Sequence, residues 1–283
     1  MTTLLLKLML TPVLIVGASL AGRRWGAAVS GSLIGLPLTS GPIAAFLTVE
    51  HGPRFAAQSS VGALSGAGAE CAFCLGYAWL GRRGQACALI TATIGFAVLA
   101  GIAETLPLRP ALPLPLLPMA AAVVVVLAAA ALLLPGRGPV PDAAVPHARW
   151  DLPARALIAT ALVLGFTAAA TTLGARLTGL LGVFPVYAAV LTVFAHRSRG
   201  LNAALSVLHG VTLGLFSFAA FAFTLAALLT DINTVAAFAC AAGAALVAQA
   251  LALARLTATP RPVQHFTSGR SAEPSRARAR SGG

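Results

Sequence analysis

Glu70 is the acidic side chain that lies deepest within an apolar run of the sequence. A charged group at the centre of a bilayer costs about 2.5–3.5 kcal/mol or more, so such a residue is a candidate for a functional role. Gly62, Gly66 and Glu70 are four residues apart and share one helix face. Because glycines allow close helix packing, we expect Glu70 to face protein rather than lipid. The pattern indicates either proton coupling or a neutral acid hydrogen-bonded to a backbone carbonyl.

His209 is the second candidate for proton chemistry. A relay with Glu70 is one hypothesis, and a histidine bonded to a hydroxyl or a carbonyl is the simpler one. No nucleophile accompanies either residue, so the sequence does not favour an enzyme. The pair formed by Cys71 and Cys74 has no second pair or histidine cluster to complete a metal site. We therefore expect no metal and no cofactor.

Proline and glycine interrupt two of the apolar runs. Residues 31–42 hold two prolines and three glycines, and residues 179–187 are interrupted at Pro185. Proline removes a backbone donor, and in a membrane the freed backbone groups must face protein or water. Paired breaks are therefore candidate transporter sites, with a proline kink that serves packing as the alternative. The candidate substrate-binding residues are Pro37, Thr39, Ser40, Gly41, Pro42, Pro185 and Tyr187.

The composition places these residues in a membrane. Of the 283 residues, 58% are hydrophobic and 9% are charged, and the mean hydropathy is +0.90. A soluble domain carries about 25% charged residues, so a soluble enzyme, a disordered chain and a collagen-like fibre are excluded. The net charge of +12 comes from loop and tail arginines without an aromatic-interleaved patch, so we expect no nucleic-acid partner. The fold class that remains is an all-α polytopic membrane bundle in contact with the lipid bilayer.

Nine apolar runs are long enough to cross the bilayer, which takes about 20 residues per helix. They are residues 3–21, 27–49, 55–80, 85–103, 112–134, 154–175, 177–195, 202–229 and 233–257. With alternate loops on opposite sides, fifteen of the 19 basic residues fall on one side of the membrane and four on the other. The positive-inside rule then predicts a multi-pass protein with its N-terminus outside and its C-terminus in the cytoplasm.

The sequence also repeats itself with an offset of 148 residues, which aligns six glycines of each half and places Pro37 on Pro185. The aligned glycines include the predicted helix-packing positions Gly62, Gly66, Gly210 and Gly214. Four spans repeat and a fifth lies between the copies, so the copies must be inverted relative to each other, as 4+1+4 helices. The predicted units are a first four-helix repeat (1–103), a connecting transmembrane helix with a cytoplasmic linker (104–153), the inverted four-helix repeat (154–257) and a disordered basic cytoplasmic tail (258–283).

Each half contains the unit Gly-x5-Pro-x8-Phe-x5-Gly. Its members are Gly31, Pro37, Phe46 and Gly52 in the first half and Gly179, Pro185, Phe194 and Gly200 in the second. The unit resembles the helix and the following glycine turn of the small four-span GlpM-type membrane proteins, which are each about one repeat long. The resemblance covers residues 1–103 and about 154–257. It implies a bacterial inner-membrane protein made from a duplicated unit, with a link to exopolysaccharide production, and it names no substrate.

Two functions agree with these patterns. Inverted repeats are typical of secondary transporters, so one expectation is a transporter or exporter of a small solute, with proton coupling as an option. The alternative is a non-transporting scaffold or regulatory component of an envelope or exopolysaccharide system, in which the glycine faces and the tail are interaction surfaces. The arginine-rich tail would also contact anionic lipid headgroups.

Overall fold

The computed structural model describes residues 27–34, 37, 40–105, 116–136 and 182–258, together with isolated positions within 9–25 and 153–161. Most of the first and sixth predicted spans, most of the linker and residues 259–283 of the tail lie outside these residues. Within the described part the chain forms helices and no strands. The helices are α1 (Ala27–Ile34), α2 (Ser40–His51), α3 (Pro53–Leu80), α4 (Gln85–Thr105), α5 (Leu116–Leu133), α6 (Val186–Arg199), α7 (Leu201–Leu228) and α8 (Thr234–Ala258).

Four of the described helices are long and apolar enough to cross a membrane, namely α4 over Gln85–Ala103, α5, α7, and α8 over Thr234–Ala254. On α4, large aliphatic side chains such as Ile90, Ile94 and Val98 point away from the protein. Such a surface suits lipid, because apolar area exposed to water is unfavourable. The protein is thus an all-helical bundle suited to membrane insertion. The count of nine spans stays a prediction.

Helices α3 and α7 form the centre of the bundle and have matching bounds. Each is 28 residues long, and the two begin 148 residues apart. Each follows a glycine with positive φ, at +88° for Gly52 and +80° for Gly200. The first turns also match, since the amides of Ala56 and Ala204 each donate to the carbonyl of that glycine at 3.3 Å. The backbone frame therefore recurs at the offset seen in the sequence.

The two central helices pack against each other in opposite directions. Ala56, near the start of α3, clusters with Leu225, near the end of α7. At the other end, Gly81 just beyond α3 lies against Leu201, the first residue of α7. The midpoints of the two helices, near residue 67 of α3 and residue 215 of α7, therefore lie close to each other. Corresponding helices thus cross antiparallel near corresponding midpoints.

The flanking helices pack in matching ways around this pair. Helix α4 packs against α3, where Gly76 approaches the backbone of Ala92, and α8 packs against α7, where the Ser217 hydroxyl donates to the Ala245 carbonyl at 2.6 Å. Helix α5 contacts both central helices. It meets α3 at Gly68, close to the centre of the α3–α7 contact.

Helix α1 crosses α7 at Gly210, and the backbones nearly touch there. A methyl group on Gly210 would overlap the carbonyl oxygen of Ala28 and lie 2.8 Å from the amide nitrogen of Ser32. The Gln249 amide of α8 donates to the Ser32 hydroxyl at the same crossing. The other predicted packing glycines, Gly62, Gly66 and Gly214, are also buried.

Candidate functional site

The structure interrupts the helix at both of the prolines that divide an apolar run. The chain leaves α1 after Ile34, turns at Pro37 and begins α2 at Ser40, while the second interruption precedes α6. The first hydrogen bond after each break is the same. The Gly41 amide donates to the Pro37 carbonyl at 2.9 Å, and the Ala189 amide donates to the Pro185 carbonyl at 2.7 Å. Each proline thus opens a new helix, where its missing N–H costs nothing.

Both breaks reach one cavity of about 50 Å³ between α2, α3, α7 and the turn before α6. From the first break comes Ser40, and from the second come Gly182 and Val183. Most of the wall is apolar, with Ile43, Leu47, Ala63, Phe218 and Phe221 among the lining residues. One water occupies about 30 Å³ of liquid but needs only about 10–15 Å³ of such accessible space. The cavity therefore has room for a few heavy atoms of a solute or for a few waters.

Three serine hydroxyls give the cavity its polar character. Ser60 donates to the Ala56 carbonyl of its own helix at 2.9 Å, while the buried Ser40 hydroxyl has no hydrogen-bond partner among the described residues. Ser59 also lines the space. None of the described lining residues is charged. Because a buried ion without a partner is strongly disfavoured, the cavity suits an uncharged group that forms hydrogen bonds.

The predicted substrate-binding residues separate into those near the cavity and those away from it. Ser40 lines the cavity, and Gly41 follows it with its backbone close to the Phe221 ring. Pro37 is half-buried in its turn, Pro185 is buried, and Tyr187 packs half-buried against the main core. Thr39 and the side chain of Pro42 lie outside the described residues.

Sequence reasoning gave no specific role to several of the cavity residues. Ser59 and Ser60 lie in the apolar run 55–80, and Phe218 and Phe221 lie in the run 202–229, where no motif marks them as site residues. One signal was available for Ser59. Eleven residues separate it from Glu70, which is three turns of a helix, so both belong to one face of α3.

Glu70 lies on α3 about 16 Å along the helix axis from Ser59, since each residue rises about 1.5 Å. Its side chain is buried, with 6% exposure. The His209 ring nitrogen Nδ1 lies 2.8 Å from the Leu205 carbonyl on its own helix. A hydrogen bond to a carbonyl is what the simpler of the two hypotheses predicts for His209. A relay with Glu70 stays a prediction.

A polar contact joins α3 to α6 at the end of the bundle away from the cavity. The Tyr77 hydroxyl lies 3.1 Å from Nδ1 of His196, and the two rings meet edge to face. Burial lowers the pKa of His196, which lies just beyond the predicted span 177–195. A neutral imidazole accepts a hydrogen bond at its unprotonated nitrogen, so the phenol can donate to Nδ1. We call this contact the Tyr77–His196 latch.

The same end of the bundle carries a group of arginines. Arg82 and Arg83 follow α3, and Arg197 and Arg199 end α6 beside them, because Gly81 contacts both Leu201 and His196. We call this the basic end. The cavity lies nearer to the opposite end, where Arg54 and the exposed Asp231 are found.

Comparisons of the chain with protein-family models, with curated proteins and with solved structures found no match. Within the described residues there is also no group of three or more His, Cys, Asp and Glu side chains that could hold a metal ion. The function is therefore argued from the geometry of the chain itself.

Proposed function

We propose that this protein is a secondary transporter of a small solute that forms hydrogen bonds and carries no net charge. The observation that carries the proposal is the meeting of both helix breaks at one cavity. Interrupted helices near the bilayer centre supply the binding groups in many secondary transporters. An apolar wall with a few hydroxyls and no charge selects a neutral polar solute, because an ion would lose its hydration without a partner.

The arrangement of α3 and α7 supports an inverted repeat. These helices correspond at the 148-residue offset and cross antiparallel near corresponding midpoints. A two-fold axis that relates two antiparallel membrane helices lies in the plane of the membrane. That is the symmetry of inverted-repeat transporters, whose halves exchange conformations. In this proposal nine spans form 4+1+4 helices, with α5 as the unpaired helix between the halves.

The arginines support an orientation in the membrane. Arg82, Arg83, Arg197 and Arg199 lie together at the basic end. Cytoplasmic loops are rich in arginine and lysine, so we place the basic end in the cytoplasm of a bacterial inner membrane. The N-terminus is then outside, the C-terminus inside, and the cavity nearer the outer face. The similarity of each half to GlpM-type proteins fits a four-span unit that was duplicated and joined in opposite orientations.

Filling the cavity tests this function. In Ala63→Trp a bulky ring occupies the cavity, whereas Ile90→Trp adds the same ring on the exposed surface of α4. Both variants and the parent chain would be reconstituted into liposomes and exposed to a panel of small polyols, amides and amino alcohols. Swelling, followed by light scattering, reports solute entry. We expect entry of at least one solute, slowed at least about tenfold, or about 1.4 kcal/mol, by Ala63→Trp and little changed by Ile90→Trp.

Two results would count against transport. Equal entry rates in the parent and in Ala63→Trp would remove the cavity from the pathway. If no solute in the panel enters, and deletion of residues 259–283 abolishes function in cells, the scaffold hypothesis replaces the transporter.

A further inference from the structure

The cavity has a counterpart in the repeat. Adding or subtracting 148 residues carries each lining residue to a position in the other half of the chain. Ser59 becomes Val207, Ala63 becomes Val211, Ala44 becomes Thr192, Phe221 becomes Phe73 and Phe218 becomes Glu70. We call the residues at these corresponding positions the counterpart shell. It lies between α3, α6 and α7, on the side of their centre that faces the basic end.

The counterpart shell is closed. All of its described members except Ala195 are buried, and Val211, Phe73 and Thr192 are fully buried. At the open cavity, the corresponding Ala63 and Ala44 are only partly buried, and Gly182 is exposed. The lining of the first cavity is therefore partly exposed, whereas the corresponding residues of the counterpart shell are packed shut.

Two polar groups lie inside the closed shell. Thr192 has 0% exposure, and its hydroxyl has no hydrogen-bond partner among the described residues. The Glu70 side chain, with its ionisable carboxyl group, is 6% exposed. Burying a polar group without a hydrogen-bond partner is unfavourable, and burying an ionised carboxylate is more so. A second conformation in which water reaches both groups would relieve this cost.

The Tyr77–His196 latch lies at the mouth of this shell. Tyr77 is three residues beyond the shell residue Cys74 on α3, and His196 follows Ala195 on α6. The residues that correspond to the latch are Leu225 and Thr48, and the Thr48 hydroxyl bonds to the carbonyl of Ala44 on its own helix. A polar bond between helices therefore closes the counterpart shell and has no equivalent beside the open cavity.

We propose that the counterpart shell is a second cavity, closed in this structure, that opens toward the basic end when the first cavity closes and exposes Glu70 to water. Glu70 then takes up or releases a proton on that side of the membrane. At the corresponding position the first cavity has Phe218, which cannot ionise. Protons are therefore exchanged only on the side of the basic end. This inference rests on the proposed function, and it assigns to Glu70 the step that couples protons to solute.

Thiol accessibility tests the second cavity. The native cysteines 71, 74, 87 and 240 would be replaced, and Ser59→Cys and Val207→Cys introduced singly and together. A membrane-impermeant maleimide would then be applied to intact cells and to inverted vesicles. We expect position 59 to react from the side of Arg54 and position 207 from the basic end. In the double variant, a bulky maleimide already at position 59 should slow reaction at 207 about tenfold or more, since it holds the first cavity open.

Two further variants examine one group that holds the second cavity shut, Tyr77, and one that favours its opening, Glu70. Tyr77→Phe removes the latch and should raise the reaction rate at position 207. Trp79→Phe is the matched control, because Trp79 also donates a hydrogen bond, to the Leu133 carbonyl of α5, but outside the shell. Glu70→Gln should lower the rate at 207, because the amide cannot ionise and so requires water less than a carboxylate does.

The outcomes separate this inference from the proposed function. If position 59 reacts and position 207 reacts from neither side, the second cavity is refuted, and the swelling assay with Ala63→Trp still decides transport. If position 207 reacts at the same rate with and without the block at 59, the two cavities do not alternate. If both positions react from the same side, the halves are not inverted, and the architecture behind the proposed function is wrong.

Discussion

Helices α3 and α7 share a backbone frame, by which we mean their equal length and the glycine turn before each of them. They differ in the polar side chains that lie on this frame. Both span 28 residues after a glycine with positive φ. Where α3 has Ser59 and Glu70, however, α7 has Val207 and Phe218. The frame depends on glycines and prolines, whose backbone requirements do not depend on their neighbours. Polar side chains can differ between the two helices, so one side of the α3–α7 contact holds a cavity with hydroxyls and the other side a closed shell with a carboxyl group.

The difference also shows how a symmetric frame can favour one conformation. Interactions present on one side only, such as the latch and the bond between Gln249 and Ser32, have no counterpart on the other. Gly101 and Leu180 occupy the positions that correspond to Gln249 and Ser32. In the two-state alternation that we propose, each one-sided bond would shift the balance between the states by its own free energy.

The largest effect is expected at the crossing of α1 and α7. In Gly210→Ala the new methyl group meets the backbone of Ala28 and Ser32, which cannot rotate away. We expect the free energy of unfolding to fall by about 1–3 kcal/mol or more, measured by unfolding in mixed detergent micelles. Gly243→Ala is the control, since no atom lies within 4 Å of the added carbon, and it should change stability by less than about 1 kcal/mol.

The corresponding glycine extends this prediction to the other half. Gly62 is buried on α3 at the position that matches Gly210. If the repeat holds in three dimensions, a helix crosses it as α1 crosses α7, and Gly62→Ala should cost a similar 1–3 kcal/mol or so. A cost as small as that of Gly243→Ala would show that the frame is not shared at this crossing.

An effect of up to similar size, and equal at the two positions, is expected at the two turns that precede the central helices. Gly52 and Gly200 have φ of +88° and +80° with extended ψ, a region that side chains rarely enter. Alanine at either position should cost about 1–3 kcal/mol, with the two costs within about 0.5 kcal/mol of each other. Gly101→Ala, in a helix with no atom within 4 Å, is the control. Costs that differ by more than this would mean that the turns are held differently in the two halves.

The smallest effect is expected at the latch. Tyr77→Phe removes one hydrogen bond and should cost about 0.5–1.5 kcal/mol, whereas the corresponding Leu225 offers no such bond. The lowered pKa of His196 also predicts a pH dependence. The unfolded chain binds the proton more readily than the folded chain does. The contribution of neutral His196 to the free energy of unfolding is therefore fully present above the usual histidine pKa of about 6.5, and it is lost as the pH falls through the pKa of the folded chain.

Unfolding measured between about pH 8 and about pH 5 checks the sign of this dependence. The parent chain should lose stability toward the acidic end, and His196→Asn should lose less. A parent chain that gains stability on acidification would contradict the account, because it would mean that the folded state binds the proton more tightly than the unfolded chain does.

The sequence predicted the helix interruptions well, because proline and glycine act on the backbone beside them. Pro37 and Pro185 open new helices, and Gly52 and Gly200 precede the central ones. Local sequence patterns predicted only part of the cavity lining. They predicted Ser40, yet the hydroxyls of Ser59 and Ser60 and the ring of Phe221 carry no local signal that they meet. The predictions for Thr39 and the basic tail lie outside the described residues.

The sequence by itself determined the all-helical class, the suitability for a membrane, the positions of the helix breaks and the 148-residue register, because each depends on composition or on local backbone rules. Only the tertiary structure decided that the two breaks reach one cavity, that α3 and α7 cross antiparallel near matching midpoints and that a latch forms between Tyr77 and His196. Each of these joins residues far apart in the chain, and their meeting depends on how closely whole helix faces pack. That fit is a sum of many small contacts, which no short stretch of sequence contains.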